Sequence, residues 1–260
     1  RRVPFVCNLQ PSGRYPIVSL DASGGIPAVL KTVEPMLDTG VMTCMGKTLG
    51  ELLETYRAQP DDVLKTLESP QKAEGGIAVL WGNLAPRGAV VKQSGVRESM
   101  YRFTGRARVF DSMEEADAAV SAGSIEKGTV IVIRYEGPKG GPGMREMLST
   151  TALIMGRGMD RDVALVTDGR FSGATHGPCI GHISPEAAAG GPIAFVKDGD
   201  LIHIDITNRT LTIDVTEEEF ARRREGWTPV RKPRMTALAK YATLVSGADT
   251  GAVADRNRLD

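Results

Sequence analysis

The sequence predicts a mixed α/β fold whose larger part is a β-barrel or a sandwich with flanking helices. From about Gly75 onward, many short β-rich runs follow one another along the chain. Helix starts with the Ser/Thr-x-x-Glu spacing lie between these runs, at Ser112 to Glu115 and at Thr216 to Glu219. Strands interrupted by helices indicate a mixed class instead of an all-β protein.

The first part of the chain, from Arg1 to about Leu67, alternates turn signals with helix-like segments. Thr48 and Glu51 have capping-box spacing, and the apolar Leu52 follows them directly. We therefore expect this part to be mostly helical.

Eight later runs are rich in apolar and β-branched residues and are predicted to be strands. They are Ile77–Leu80, Ala89–Val91, Ala107–Phe110, Val130–Ile133, Val163–Val166, Ile193–Val196, Leu201–Ile206 and Leu211–Val215. The dipeptide Asp198-Gly199 is typical of a hairpin turn. Because Thr207 to Arg209 separates the last two runs, we expect antiparallel pairing at this end. A further helix is predicted from Met144 to Met155.

Composition excludes several function classes. The 260 residues contain 32 lysines and arginines and 32 aspartates and glutamates, so no overall field attracts nucleic acid or a membrane. No apolar run approaches the roughly 20 residues of a membrane span, and the first residues lack a signal-peptide stretch. Cys7, Cys44 and Cys179 are odd in number and widely spaced, which favours a reducing, cytoplasmic compartment.

Two short basic stretches, Arg222 to Arg224 and Arg231 to Arg234, are the densest positive charges. With a neutral chain overall, we expect both to be solvated faces of helices or loops.

A glycine-rich segment, Gly137 to Met147, is the most unusual part of the sequence. Its glycines let backbone N–H groups approach an anion, and no structural requirement visible in the sequence explains so many of them. Glu146 is expected in the first turn of the following helix. There it would either interact with the helix dipole or bind a hard cation.

A second polar loop follows the apolar run Val163–Val166 and centres on Ser172. Arg170 and His176 lie close enough in sequence to influence its hydroxyl. From local sequence alone an ordinary turn serine is the favoured interpretation, and His176 and His182 are more typical of hydrogen-bonded loop or core residues than of catalysts. The spacing is not that of the hydrolase nucleophile elbow, which requires glycine two residues on either side of the serine.

Two other segments are weaker candidates. Gly40 to Thr48 ends like a phosphate loop but has five residues between its glycines instead of four, which disfavours nucleotide hydrolysis. The loop Gly82 to Gly88 could orient a substrate through Asn83 or Arg87, although its spacing favours a turn with a backbone-capping asparagine.

Six motifs together resemble the dihydroxy-acid and sugar-acid dehydratase family. The resemblance runs from near Arg1 to about Val253. The motifs are Gly24–Val29, Gly82–Val91, Gly137–Met147, Asp168–Thr175, Gly181–Ala187 and Val245–Gly251.

This resemblance implies a two-part enzyme. Residues 1–74 would be the helical tail of an N-terminal α/β domain and the linker, and residues 75–260 a swivelling β-barrel domain flanked by helices. The N-terminal part would carry a 2Fe-2S or 4Fe-4S cluster and part of a magnesium site. The three cysteines fall outside the cluster motifs, and the lysine and aspartate of the magnesium site are missing. We therefore expect this chain alone to be inactive.

The resemblance also implies roles for individual residues in removing water from a 2,3-dihydroxy carboxylate. Glu146 would be a magnesium ligand, and Ser172 would be the base. Ser172, Arg170 and Thr175 would contact substrate. Ala174 replaces the usual glycine, a small change that should preserve the turn.

Thr175–Gly177 and Ile180–Pro185 look more like the branched-chain amino-acid type, which acts on 2,3-dihydroxyisovalerate and 2,3-dihydroxy-3-methylvalerate. Two alternatives stay open, a sugar-acid dehydratase and a non-catalytic β-barrel binding module. A homodimer is expected because family enzymes are typically dimers. Neither nucleic acid nor a membrane is an expected partner.

Overall fold

A computed structural model describes residues 2–230, 232 and 235–254 of the chain. Contacts between residues divide it into two compact units, Arg1–Gly76 and Ile77–Asp260. The division falls close to the boundary expected after residue 74. Residues 255–260 of the expected second domain lie outside the described residues.

In the first unit, residues 2–76 form three short α-helices, α1 (Ile17–Ala22), α2 (Gly25–Thr32) and α3 (Leu49–Leu53), and a 3-10 turn at Glu34–Met36. The predicted capping box of α3 is confirmed: Thr48 Oγ1 accepts the N–H of Glu51, whose carboxylate accepts the N–H of Thr48. Helices occupy less of this unit than expected, because its other segments are turns and isolated β-bridges.

The second unit is built on one eight-stranded sheet. Its strands are β1 (Ala78–Leu80), β2 (Ala89–Val91), β3 (Arg102–Phe110), β4 (Thr129–Ile133), β5 (Ala164–Thr167), β6 (Cys179–Gly181), β7 (Leu201–Asp205) and β8 (Thr210–Ile213). Their order is β1-β2-β6-β5-β4-β3-β7-β8. Strands β3 to β6 pair in parallel, whereas β1, β2, β7 and β8 pair in an antiparallel manner.

The sheet nearly closes into a barrel where the end of β1 meets β8. Trp81 accepts the N–H of Leu211 at 2.9 Å and donates its own N–H to Arg209, also at 2.9 Å. Asn83 continues this seam, because its side chain bonds both the N–H and the carbonyl of Ile213. A Cβ atom at Gly82 would lie 2.0 Å from the Leu211 carbonyl oxygen, so this seam requires glycine. The predicted barrel is confirmed.

The barrel has two apolar layers because its parallel strands are covered on both sides. Alternate residues such as Val130 and Val132 point into the interior cluster, to which all eight strands contribute. Ile131 and Ile133 point outward and pack with Ala116 from a helix. Burial on both faces explains why β4 and β5 are almost continuously apolar.

The described residues of this unit form four α-helices: α4 (Met113–Ser121), α5 (Leu148–Gly156), α6 (Glu217–Arg224) and α7 (Thr236–Leu244). The predicted N-caps of α4 and α6 are confirmed, since Ser112 and Thr216 each accept the backbone N–H three residues on. Short 3-10 helices occur at Gln93–Gly95, Glu98–Met100, Ala187–Ala189, Pro192–Phe195 and Ala248–Thr250. In the described part of the chain, no helix has the length and apolar character needed to cross a bilayer.

Predictions for three segments differ from the structure. The predicted strand Ile193–Val196 is wrong, because Pro192 opens a buried 3-10 helix there. Asp198-Gly199 is a turn that leads from this helix into β7, so it joins no pair of strands. The antiparallel β7–β8 pair is confirmed. Strand β6 was not predicted, because Cys179–Gly181 is too short to display a period.

The basic stretches are not simply solvated. The Arg223 side chain is 10% exposed and pairs with Asp200 and Glu219. Lys232 forms an ion pair with buried Glu136 at 3.0 Å. The other members of the second stretch, residues 231, 233 and 234, lie outside the described residues. The expectation of solvated faces is therefore wrong for Arg223 and Lys232.

Candidate active site

The candidate site lies where the parallel strands β4, β5 and β6 end. Because these strands share one direction, their carboxyl ends meet at one edge of the sheet. The connections that leave this edge are residues 134–147, 168–178 and 182–187. Loops at this position commonly carry the binding and catalytic groups of proteins with parallel strands.

Glu146 and Arg170 pair as an isolated parallel bridge between the first two loops. Arg170 donates its N–H to the Arg145 carbonyl at 3.0 Å, and Met147 donates its N–H to the Arg170 carbonyl at 2.9 Å. Ser172 follows two residues after Arg170. The structure therefore brings together the two segments that carry Glu146 and Ser172.

The expected position of Glu146 in the first helical turn is wrong. Helix α5 begins at Leu148, and Met147 is its N-cap residue. The N–H of Met147 is used in the bridge to Arg170, so the backbone around Glu146 is paired like a strand. Glu146 is half-buried and precedes the helix.

Ser172 occupies a turn that includes Thr175. Its Oγ accepts the N–H of Ala174 at 3.3 Å, and its carbonyl accepts the N–H of Thr175 at 3.3 Å. Ser172 is half-buried, Thr175 is buried, and Gly173 is exposed. Arg170 is exposed, and its Nε donates to the Met144 carbonyl at 2.7 Å. The turn thus begins two residues after Arg170, whose backbone pairs with the Glu146 segment.

The histidines and the cysteine near this turn have structural contacts. His182 donates its backbone N–H to the Gly169 carbonyl at 2.8 Å, and burial lowers the pKa of its imidazole. Cys179 Sγ contacts the His176 carbonyl at 3.5 Å. Burial raises the pKa of the Cys179 thiol to about 12, so it remains a neutral thiol at neutral pH.

Asp168 directly follows β5, and its carboxylate links the segments that follow β4, β5 and β6. Its carboxylate accepts the N–H groups of Tyr135 at 3.1 Å, Glu136 at 2.9 Å and Ala187 at 2.8 Å. The side chain is fully buried, and this burial raises its pKa to about 6 against the opposing effect of the three donors. Sequence reasoning assigned it no role.

Glu186 binds the backbone of the glycine-rich loop. Its carboxylate accepts the N–H groups of Lys139 at 3.0 Å and Gly140 at 2.9 Å. Burial raises the pKa of Glu186 to about 7. A Cβ atom at Gly137 would lie 2.6 Å from Glu186 Oε2. The loop therefore does present N–H groups to an acceptor, and that acceptor is the carboxyl group of Glu186 in the same protein.

Glu136 is the third buried carboxylate of this edge. Its Oε1 accepts the N–H of Met113 at 3.0 Å and contacts Lys232 at 3.0 Å and Arg145 at 3.5 Å. Its Oε2 accepts no hydrogen bond from any described residue. A Cβ atom at Gly141 would lie 2.7 Å from this oxygen. Close approach to buried carboxylates is thus the structural reason for Gly137 and Gly141.

Residues from four motifs line one cavity of about 420 Å³. Glu186 and Lys139 contribute to its wall, together with Arg87, which pairs with Asp249 at 3.3 Å. Arg87 and Asn83 belong to the same motif, but Asn83 bonds the backbone of β8, in agreement with a structural role.

Metal ligands are sparse in the described residues. No group of three or more His, Cys, Asp or Glu side chains in residues 2–230, 232 and 235–254 is arranged to hold a metal ion. Cys7 and Cys44 belong to the first unit, and Cys179 to the second.

Comparison with known families agrees with this arrangement of motifs. The family described as "Dihydroxy-acid/6-phosphogluconate dehydratase C-terminal" matches residues 62–252. The chain belongs to this family. The corresponding "Dihydroxy-acid/6-phosphogluconate dehydratase N-terminal" description matches residues 1–52. The family match covers every loop of the candidate site.

Individual relatives extend this finding. The chain is 51% identical over 256 residues to a protein of Ruminiclostridium cellulolyticum and to one of Aquifex aeolicus, each named dihydroxy-acid dehydratase. A Geobacter metallireducens protein of the same name is 54% identical over 254 residues. Each alignment covers 97% of this chain and 46% of the relative. The chain thus spans about half the length of these relatives.

Proposed function

We propose that the chain is the C-terminal half of a dihydroxy-acid dehydratase, a hydro-lyase. The observation that carries this proposal is the 51% identity to proteins of that name over 97% of the chain. The bridge between Glu146 and Arg170 supports it, because the two segments with candidate chemistry are separated by α5 and β5 in sequence and pair directly. The remaining half of such an enzyme would be an N-terminal cluster-bearing domain.

The proposed reaction converts a 2,3-dihydroxy carboxylate into a 2-oxo acid and water. Ser172 Oγ, as an alkoxide, accepts the proton from C2. The electron pair of the C2–H bond forms a C2=C3 double bond, and the C3–O bond breaks. Transfer of the proton from Ser172 Oγ to the departing hydroxide gives water and regenerates the alkoxide, and the resulting enol tautomerises to the 2-oxo acid. Arg170 and Thr175 are proposed to contact the substrate beside Ser172.

Magnesium is proposed as one cofactor, with Glu146 as a ligand. A half-buried carboxylate at a loop edge is the type of oxygen donor that this ion prefers. The remaining ligands would come from outside this chain, because the described residues offer no group of three. A bound magnesium ion would hold the substrate carboxylate and 2-hydroxyl and acidify the C2 proton.

An iron–sulfur cluster does not fit the described residues of this chain. Such clusters are held by thiolates, whereas burial keeps Cys179 a neutral thiol and the other two cysteines lie in a separate unit. We propose that a 2Fe-2S or 4Fe-4S cluster belongs to the N-terminal part of the longer protein. This chain alone is then expected to be inactive.

The proposed substrates are 2,3-dihydroxyisovalerate and 2,3-dihydroxy-3-methylvalerate, which places the enzyme in valine and isoleucine biosynthesis. We also propose a homodimer and a cytoplasmic location. The three free cysteines support a reducing compartment.

The decisive experiment measures dehydration by the full-length enzyme, reconstituted with cluster and magnesium, for wild type and Ser172→Ala. We expect wild type to convert 2,3-dihydroxyisovalerate and Ser172→Ala to lose turnover while retaining cluster absorbance and folded circular dichroism. Near-normal turnover of the variant would remove Ser172 from the mechanism. Turnover of aldonates or phosphogluconate in place of the branched substrate would instead identify a sugar-acid dehydratase.

A further inference from the structure

Lys92 directly follows β2, and its side chain reaches the turn that carries Ser172. Its Nζ donates a hydrogen bond to the carbonyl oxygen of Gly173, the residue after Ser172. We propose that Lys92 is a positioning residue that fixes this turn and thereby the direction of Ser172 Oγ. This inference rests on the proposed function and adds a residue to the same site.

The hydrogen bond from Lys92 connects the turn to a segment that is distant in the sequence. The hydrogen bonds from Ala174 and Thr175 to Ser172 close the turn upon itself. In the part of the chain that the structure describes, the bond from Lys92 is the one hydrogen bond that joins residues 172–175 to another segment. Thr175 is buried at one end of the turn, whereas Gly173 and Ala174 are exposed, so packing does not fix the part of the turn at Gly173.

The environment of Lys92 favours this use of its ammonium group. The side chain is half-buried, and loss of solvent lowers the pKa of its amine. No described carboxylate forms an ion pair with it. A partly desolvated cation without a counterion is costly unless it makes strong hydrogen bonds. Donation by a charged group to a carbonyl is among the stronger hydrogen bonds in proteins.

The backbone after Lys92 supports the same contact. Gly177 donates its N–H to the Gly95 carbonyl at 3.1 Å, just beyond the turn. A Cβ atom at Gly95 would lie 2.7 Å from the Thr175 carbonyl oxygen, so the two segments approach closely there. Lys92 and Gly95 therefore hold the Ser172 loop from both sides of Thr175.

A base displaced by about 1 Å can lose roughly 10²-fold in rate, whereas the ground-state affinity for substrate changes less. We therefore expect kcat of Lys92→Met to fall roughly 10- to 100-fold, with KM within about threefold of wild type. Lys92→Arg, which keeps a charged donor, should recover part of kcat. Lys127→Met is the matched control, because Lys127 is 82% exposed and pairs with Asp162 at the surface.

The experiment uses the full-length holoenzyme and two readouts. Steady-state kinetics gives kcat and KM, and hydrogen exchange monitors the peptide that contains residues 171–177. Faster exchange of this peptide in Lys92→Met, together with the selective loss of kcat, is the expected result. Unchanged exchange, an unchanged kcat, or a rise in KM alone would overturn the positioning role. If wild type has no dehydratase activity, the proposed function fails, and hydrogen exchange still decides whether Lys92 holds the turn.

Discussion

Asp168 accepts the backbone N–H of Ala187 at 2.8 Å, which connects the end of β5 to the segment after β6. The same carboxylate accepts two N–H groups from the segment after β4. One buried side chain thus joins the three connections at the edge of the sheet where Ser172 and Glu146 lie.

Replacing Asp168 by Asn should therefore destabilise the protein. The Asn side chain has one acceptor oxygen, and its NH2 group would face a backbone N–H. Each buried donor left unpaired costs about 1–3 kcal/mol. We expect denaturant unfolding of the full-length protein to occur at a clearly lower midpoint. Asp162→Asn, at a surface ion pair, is the control and should change stability by less than about 0.5 kcal/mol. Equal midpoints for both variants would contradict the role of Asp168.

The raised pKa of Glu186 should make the stability of the protein depend on pH. Burial raises its pKa to about 7 from the ordinary value of 4.5, so the folded protein retains a proton that the unfolded chain has lost. The free energy of unfolding should consequently fall as pH rises from about 4.5 to about 7. A shift of this size corresponds to about 3 kcal/mol at most.

Glu186→Gln tests this dependence. Gln cannot titrate, yet its amide oxygen can still accept the N–H of Gly140, so the variant should lose less stability across the same pH range. Asp168, with a pKa raised to about 6, would supply the slope that remains. Denaturant unfolding at pH 5, 6, 7 and 8 measures the effect. Parallel curves for wild type and variant would exclude Glu186 as its source.

Local sequence patterns predicted the elements whose structure depends on neighbouring residues. Strand β4 was predicted because Val130 to Ile133 are apolar and β-branched, and the cap at Thr48 was predicted because its partner is three residues away. The segment Ile193–Val196 was assigned wrongly, since a short buried apolar run has no period that distinguishes a strand from a 3-10 helix.

The site was predictable only in part. The loops of Ser172 and Glu146 could be selected by their glycines and by resemblance, but their pairing depends on the sheet, because α5 and β5 separate them in sequence. The buried carboxylates were missed for the same reason. A charged residue immediately after a buried strand, as at Asp168, is the local signal that could have indicated one.

The glycine-rich loop provides a steric prediction. A Cβ atom at Gly140 would lie 2.7 Å from Tyr135 Cα, and the backbone there cannot move easily. We expect Gly140→Ala to destabilise the protein by about 1–3 kcal/mol and to lower dehydratase activity by displacing the loop. Gly156→Ala is the control, because a Cβ atom at Gly156, the last residue of α5, would meet no atom within 4 Å outside its chain neighbours and its own helix backbone. Equal thermal unfolding midpoints for Gly140→Ala and Gly156→Ala would refute this steric argument.

A substitution at the seam between β1 and β8 should lower the stability of the protein without changing kcat. Asn83 bonds the carbonyl of Ile213 at 2.8 Å and its N–H at 2.9 Å, so Asn83→Ala should cost about 1–3 kcal/mol of unfolding free energy. Asn208→Ala, in the exposed β7–β8 turn, should cost about 0.5 kcal/mol or less. Because the Asn83 side chain bonds the backbone of Ile213 and is not used for substrate, kcat per folded molecule should equal that of wild type. A selective loss of kcat with unchanged stability would instead make Asn83 a substrate-orienting residue, the role that its loop position also allowed.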